Sequence, residues 1–62
     1  MYTYIGSESD YQDKLQQAEL AYEREDWRTA FGYYKACRDY AAENGKNTSY
    51  LEMKMDDCRK HF

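Results

Sequence analysis

Cys37, Cys58 and His61 are the residues of this chain best equipped to hold a metal or to attack a substrate. Cys58 and His61 stand three apart, so a helix carries both on one side. Two ligands from one helix end fall short of a zinc site, which takes three or four, and Cys37 adds a third only if its own helix packs beside them. No metal and no cofactor are therefore expected. Both cysteines fall on apolar helix faces, where a free thiol behaves as a small hydrophobe. They are expected to fill core rather than to form the one disulfide that two cysteines allow.

Other reaction chemistry finds no footing. With one histidine in the chain, no serine or cysteine has both a base and a group to orient that base. Only three glycines occur, and none builds a phosphate-cradling loop. The acid pairs Glu25-Asp26 and Asp56-Asp57 are adjacent in sequence, so on a helix their carboxylates point to different sides. They are expected to be caps or solvated surface. A chain of 62 residues also has little volume for a pocket that excludes water. The expectation is a protein that is not an enzyme.

Composition narrows the remaining classes. Sixty-two residues allow one domain, which at this size buries only about 60% of its unfolded surface and is marginally stable alone. Charged residues make up 34% of the chain, proline is absent, and eight tyrosines, two phenylalanines and one tryptophan are too many aromatics for a disordered tail. Tyrosine suits small cores and binding surfaces because its ring is apolar while its hydroxyl can stay wet. The formal charge of −3, with twelve acids interspersed among nine bases, leaves no basic stripe for nucleic acid or anionic lipid. No apolar run approaches the ~20 residues of a membrane span. The start, Met1-Tyr2-Thr3-Tyr4-Ile5-Gly6, lacks the basic and apolar regions of a signal peptide, so a cytoplasmic location is expected.

The elements that carry these residues are helices. Residues 1–8 are expected to form an N-terminal arm, with Tyr2, Tyr4 and Ile5 available to tuck against the rest, and residues 9–62 a single domain. Ser9 with Gln12 fits a capping box, so the first helix is expected from about Asp10 to Arg24 or Glu25, with Tyr11, Leu15, Ala18 and Tyr22 on its apolar face. Asp26 is expected to cap a second helix over 27–43, its carboxylate accepting from the first turn. Trp27, Ala30, Tyr34 and Cys37 form one stripe of alternating large and small side chains along it, and Tyr33, Ala36 and Tyr40 a second. Two stripes place this helix between both neighbours. Asn44-Gly45 stops it with a left-handed residue. Ser49 with Glu52 is a further capping box, opening a third helix whose face carries Leu51, Met55, Cys58 and Phe62 and whose last turn holds Arg59 and Lys60. Connections this short make consecutive helices antiparallel, giving an all-α, small antiparallel three-helix bundle.

The run from Tyr22 to Cys37 resembles a tetratricopeptide repeat. Asp26 matches the family's turn aspartate, Trp27 the following aromatic, Ala30 and Tyr34 its alanine-x-x-x-aromatic signature, and Cys37 its next small position. Ala18 fits the place of glycine or alanine, whereas Glu25 stands where the family usually has glycine and Ala42 where it has proline. The likeness covers about one repeat, residues 11–44, followed by one helix. The stretch from Ala18 through Tyr40 with Leu51–Phe62 is similar also to microtubule-interacting-and-transport (MIT) domains, which are three-helix bundles.

The resemblance implies a non-catalytic protein–protein interaction module, excerpted from or assembled into a larger repeat protein. The first helix of such a repeat lines a ligand groove, so Gln12, Leu15, Glu19, Tyr22 and Glu23 are the peptide-binding residues it implies. Family members that clamp a peptide carboxylate use lysine and asparagine where this chain has Leu15 and Glu19. An acidic groove instead favours a basic or amphipathic helical peptide. The alternatives are a structural helical domain that self-associates through the second stripe of helix two and the face of helix three, forming a homo-oligomer, or an MIT-like binder of amphipathic helices.

Overall fold

The described residues form three helices: α1 (Glu8–Glu23), α2 (Trp27–Glu43) and α3 (Ser49–Arg59). The computed structural model describes residues 5–62, so Tyr2 and Tyr4 lie outside the described residues. No strand occurs among the residues described.

α1 begins earlier than the Ser9 capping box implies. Ser7 is the cap: its Oγ accepts from the Asp10 amide at 3.2 Å, and the Asp10 carboxylate in turn accepts from the Gly6 amide at 3.3 Å. A serine and an acid three residues apart satisfy two amides at once, which is the capping-box economy two residues upstream of the expected one. Glu8 therefore belongs to the helix and not to the arm. Ile5, just before it, packs against the core.

The exits from α1 and α2 are alike. After α1, the Glu25 amide bonds to the Tyr22 carbonyl at 3.0 Å and the Asp26 amide to the Ala21 carbonyl at 2.9 Å. After α2, the Gly45 and Lys46 amides reach the Ala42 and Ala41 carbonyls at 3.4 and 2.8 Å. Both are Schellman motifs, which close a helix through one residue in the left-handed region. That residue is Glu25 at φ 63° in the first and Gly45 at φ 70° in the second.

Two expected side-chain caps are not made. Asp26 is the N-cap of α2, but its carboxylate makes no capping bond, and only its carbonyl takes part, accepting from Ala30 at 3.0 Å. Its amide is already committed to closing α1, so the Schellman turn and not the carboxylate sets the entry into α2. At α3, Ser49 is the first helical residue rather than the cap. Asn47 Oδ1 accepts from the Ser49 amide at 2.8 Å, and the Thr48 hydroxyl donates to Glu52 at 3.1 Å.

Aromatic contacts fix the directions. Tyr11 at the start of α1 stacks on Tyr40 at the end of α2 with centroids 5.2 Å apart, while Tyr22 at the end of α1 meets Trp27 at the start of α2 edge-on at 5.1 Å. α1 and α2 are thus antiparallel. The chain's last residues return to the start of α2, where His61 stacks on Trp27 at 4.0 Å and Phe62 meets Phe31 edge-on at 5.5 Å. α2 and α3 are antiparallel as well, which leaves α1 and α3 parallel.

The core is built on α2 and is small-residue rich. Ala18 and Ala21 of α1, Ala30, Tyr34, Cys37 and Ala41 of α2, and Leu51, Met55 and Cys58 of α3 form it. Ala18 and Ala30 have no exposed surface, so the helices approach closely there, and Tyr34 fills the space beside them. α1 and α3 each pack along α2, while their backbones approach one another at few places. Phe62, expected on the buried face of α3, lies beyond the helix end and is half exposed, because the helix stops at Arg59. A radius of gyration of 10.6 Å is that of a compact chain of this length.

Candidate binding site

The outer helices, parallel and lightly touching, leave a cleft over α2. It is lined by Glu19, Tyr22 and Glu23 of α1, Tyr34 of α2, and Tyr50 and Lys54 of α3, with a volume of about 350 Å³. Three contacts cross it. The Tyr22 hydroxyl donates to the Asp57 carboxylate. The Tyr50 hydroxyl donates to Glu19 at 3.1 Å. The Lys54 ammonium sits 3.7 Å from the centre of the Tyr22 ring and 5.8 Å from that of Tyr50.

Charge in the cleft is lopsided. Glu19 and Glu23 line it against the single Lys54 ammonium, and the Asp57 carboxylate adjoins it through the Tyr22 hydroxyl. Hydrogen bonding to Asp57, and then burial, hold the Tyr22 phenol above its ordinary pKa. Burial first, then the bond to Glu19, does the same for Tyr50.

Tyr34 differs from its neighbours. It has no exposed surface, and its buried hydroxyl makes no hydrogen bond. The Tyr50 hydroxyl is near enough to influence it, but the two phenols lack hydrogen-bond geometry. Burial pushes the Tyr34 phenol far up. A buried hydroxyl without a partner carries a desolvation cost of about 1–3 kcal/mol, and here it borders the one cleft that carries this cluster of rings.

Of the five residues expected to line a groove, Glu19, Tyr22 and Glu23 meet in this cleft. Gln12 is exposed nearer the start of α1 and donates to Glu8 at 3.3 Å, whereas Leu15 packs against the core. The α3 residues Tyr50, Lys54 and Asp57 were missed. Tyr50 and Lys54 are an aromatic–cation pair four apart, a visible signal, but its meeting with Tyr22 depends on how α3 is rotated on α2. Asp57 also departs from the expectation of a solvated acid, because Tyr22 holds it.

The chemistry-bearing trio is dispersed. Cys37 and Cys58 are free and buried, and burial pushes the Cys37 thiol up to about 11. His61 is exposed on Trp27. Among the described residues no group of three histidine, cysteine or acidic side chains is placed to hold a metal. No described helix is long and apolar enough to cross a membrane. A second depression of about 320 Å³, lined by Arg38, Glu52, Met55, Asp56 and Arg59, has balanced charges, with Arg59 paired to Asp56 at 3.2 Å.

Compared with known proteins, the chain matches no family model, no curated protein and no solved structure.

Proposed function

We propose that this protein is a non-catalytic interaction module whose α1–α3 cleft receives a basic, amphipathic helical segment of a partner protein. The observation that carries this reading is the excess of carboxylates in a cleft floored by the unpaired Tyr34 hydroxyl. Such a surface attracts cationic groups and repels acidic ones. Apolar contact is available on the same two helices. Leu20 and Met53 are 42% and 58% exposed, and each is three residues from a cleft residue, Glu23 and Tyr50 respectively. An amphipathic helix offers both kinds of contact at once.

The resemblance to a tetratricopeptide hairpin supports the same reading. In that family the first helices of successive repeats share one groove, the role α1 and α3 would take here. A cytoplasmic setting and a place within a larger repeat protein belong to this proposal. Self-association ranks below it because the surfaces it would use, the second stripe of α2 and the apolar face of α3, are largely taken up inside the monomer: Ala36, Leu51, Met55 and Cys58 are buried.

The test is calorimetric titration with a basic amphipathic peptide and an acidic peptide of the same apolar pattern. The basic peptide should bind and the acidic one should not. The Glu19→Lys, Glu23→Lys double variant should lose most of that binding. Unchanged binding by this variant overturns the assignment.

A further inference from the structure

We propose that the tyrosine-lined cleft is a receptor for an alkylammonium group, and that Lys54 occupies it from within in place of a lysine side chain carried by the partner. The inference rests on the cleft being the binding site and names what it recognises.

The Lys54 ammonium is half-buried and lies over the Tyr22 ring at 3.7 Å, with the Tyr50 ring as a second wall at 5.8 Å. Among the described residues it makes no ion pair, although Glu19 and Glu23 line the same cleft. It is held by ring faces, which attract cations through their quadrupole. Rings enclosing a cation with carboxylates at the edge form a recognisable ammonium-binding arrangement.

Tyr34 supplies the second, independent indication. Its hydroxyl is buried, borders the cleft and lacks a partner. An ammonium has only donors, and a phenol oxygen can accept one of them. Anions fit poorly, because Lys54, the one cation lining the cleft, is already engaged by the Tyr22 ring, and Glu19 and Glu23 line the same cleft. Leu20 and Met53, exposed on the two helices that form the cleft, give a peptide an apolar contact that a free amine would not use. Methylation would strengthen the contact, since it keeps the charge while making the ammonium less hydrated.

An occupied receptor binds its ligand only in the fraction of molecules where the occupant has left. Lys54→Met keeps the stem and removes the charge, so it opens the receptor. Matched amphipathic peptides bearing lysine, trimethyllysine or norleucine at one position are titrated by calorimetry. Lys54→Met should bind the lysine and trimethyllysine peptides roughly tenfold more tightly than the unsubstituted protein. Norleucine should gain nothing, and adding Tyr22→Leu should erase the gain. Equal or weaker binding by Lys54→Met, or norleucine binding as well as lysine, overturns the inference. If Lys54→Met is without effect while Glu19→Lys, Glu23→Lys abolishes peptide binding, the ammonium receptor falls and the peptide site stands. Absence of binding by every form overturns both.

A measurement on the unsubstituted protein covers the case in which Lys54→Met does not fold. The Lys54 ε-methylene protons should resonate upfield under the Tyr22 ring. Tetramethylammonium chloride should move them back in a saturable way that sodium chloride does not reproduce. An identical response to both salts overturns the inference.

Discussion

Glu25 and Gly45 hold the same left-handed position, at φ 63° and 70°, in the turns that follow α1 and α2. Each turn closes through the same pair of hydrogen bonds. The backbone makes one demand at two places, and only one is met by the residue without a Cβ.

Exchanging the two residue types should therefore have opposite effects. A side chain in the left-handed region costs roughly 1–2 kcal/mol, and glycine returns part of that in chain entropy, so Glu25→Gly should stabilise by about 0.5–1 kcal/mol. Gly45→Ala should destabilise by about 1 kcal/mol. A Cβ at Gly45 meets nothing within 4 Å, so the loss is one of backbone conformation and not of crowding. Urea unfolding midpoints check both signs.

At Tyr34, the ring and the hydroxyl should be separable. Tyr34→Phe removes a buried, unpaired hydroxyl and should raise stability by about 1 kcal/mol. Tyr34→Ala removes the largest fully buried side chain and should cost about 3–5 kcal/mol. A Tyr34→Phe protein less stable than the parent would mean that the hydroxyl has a partner.

Alkali should unfold the chain through its buried acids of high pKa. Burial moves the Cys37 thiol from 9.0 up to about 11, and Cys58, Tyr11, Tyr34 and Tyr50 are raised by burial as well, with Tyr22 raised chiefly by its bond to Asp57. Folding thus favours their protonated forms. That contribution is whole below the unfolded thiol value of 9.0 and is withdrawn as the pH climbs, Cys37's share between 9.0 and about 11. Helicity followed by circular dichroism should be flat through neutrality and decline above that onset. Cys37→Ala should make the decline between 9.0 and about 11 shallower, with Cys58 still setting its onset.

Helix count, order and the bounds of α2 were legible because apolar spacing and the Asn44-Gly45 stop are local signals. So was most of the core, since Ala30, Tyr34 and Cys37 alternate large and small on one stripe. Caps were less legible. Ser7 and Ser9 both precede an acid or amide three residues on, and only the three-dimensional path of the chain chooses between them. Asp26 had the right type, but its amide serves the preceding turn. The cleft was half legible: Glu19, Tyr22 and Glu23 share one helix, whereas their meeting with Tyr50, Lys54 and Asp57 depends on two outer helices placed by a third.

That indirect placement makes the cleft adjustable. α1 and α3 share a support and have little backbone contact of their own, so the gap between them is spanned by phenols, carboxylates and one ammonium. Side chains of this kind rearrange by rotamer changes, which are quick and leave alanine packing on α2 undisturbed. Under the proposed function, guests of different girth would be admitted at the outer edge while the spine keeps its form.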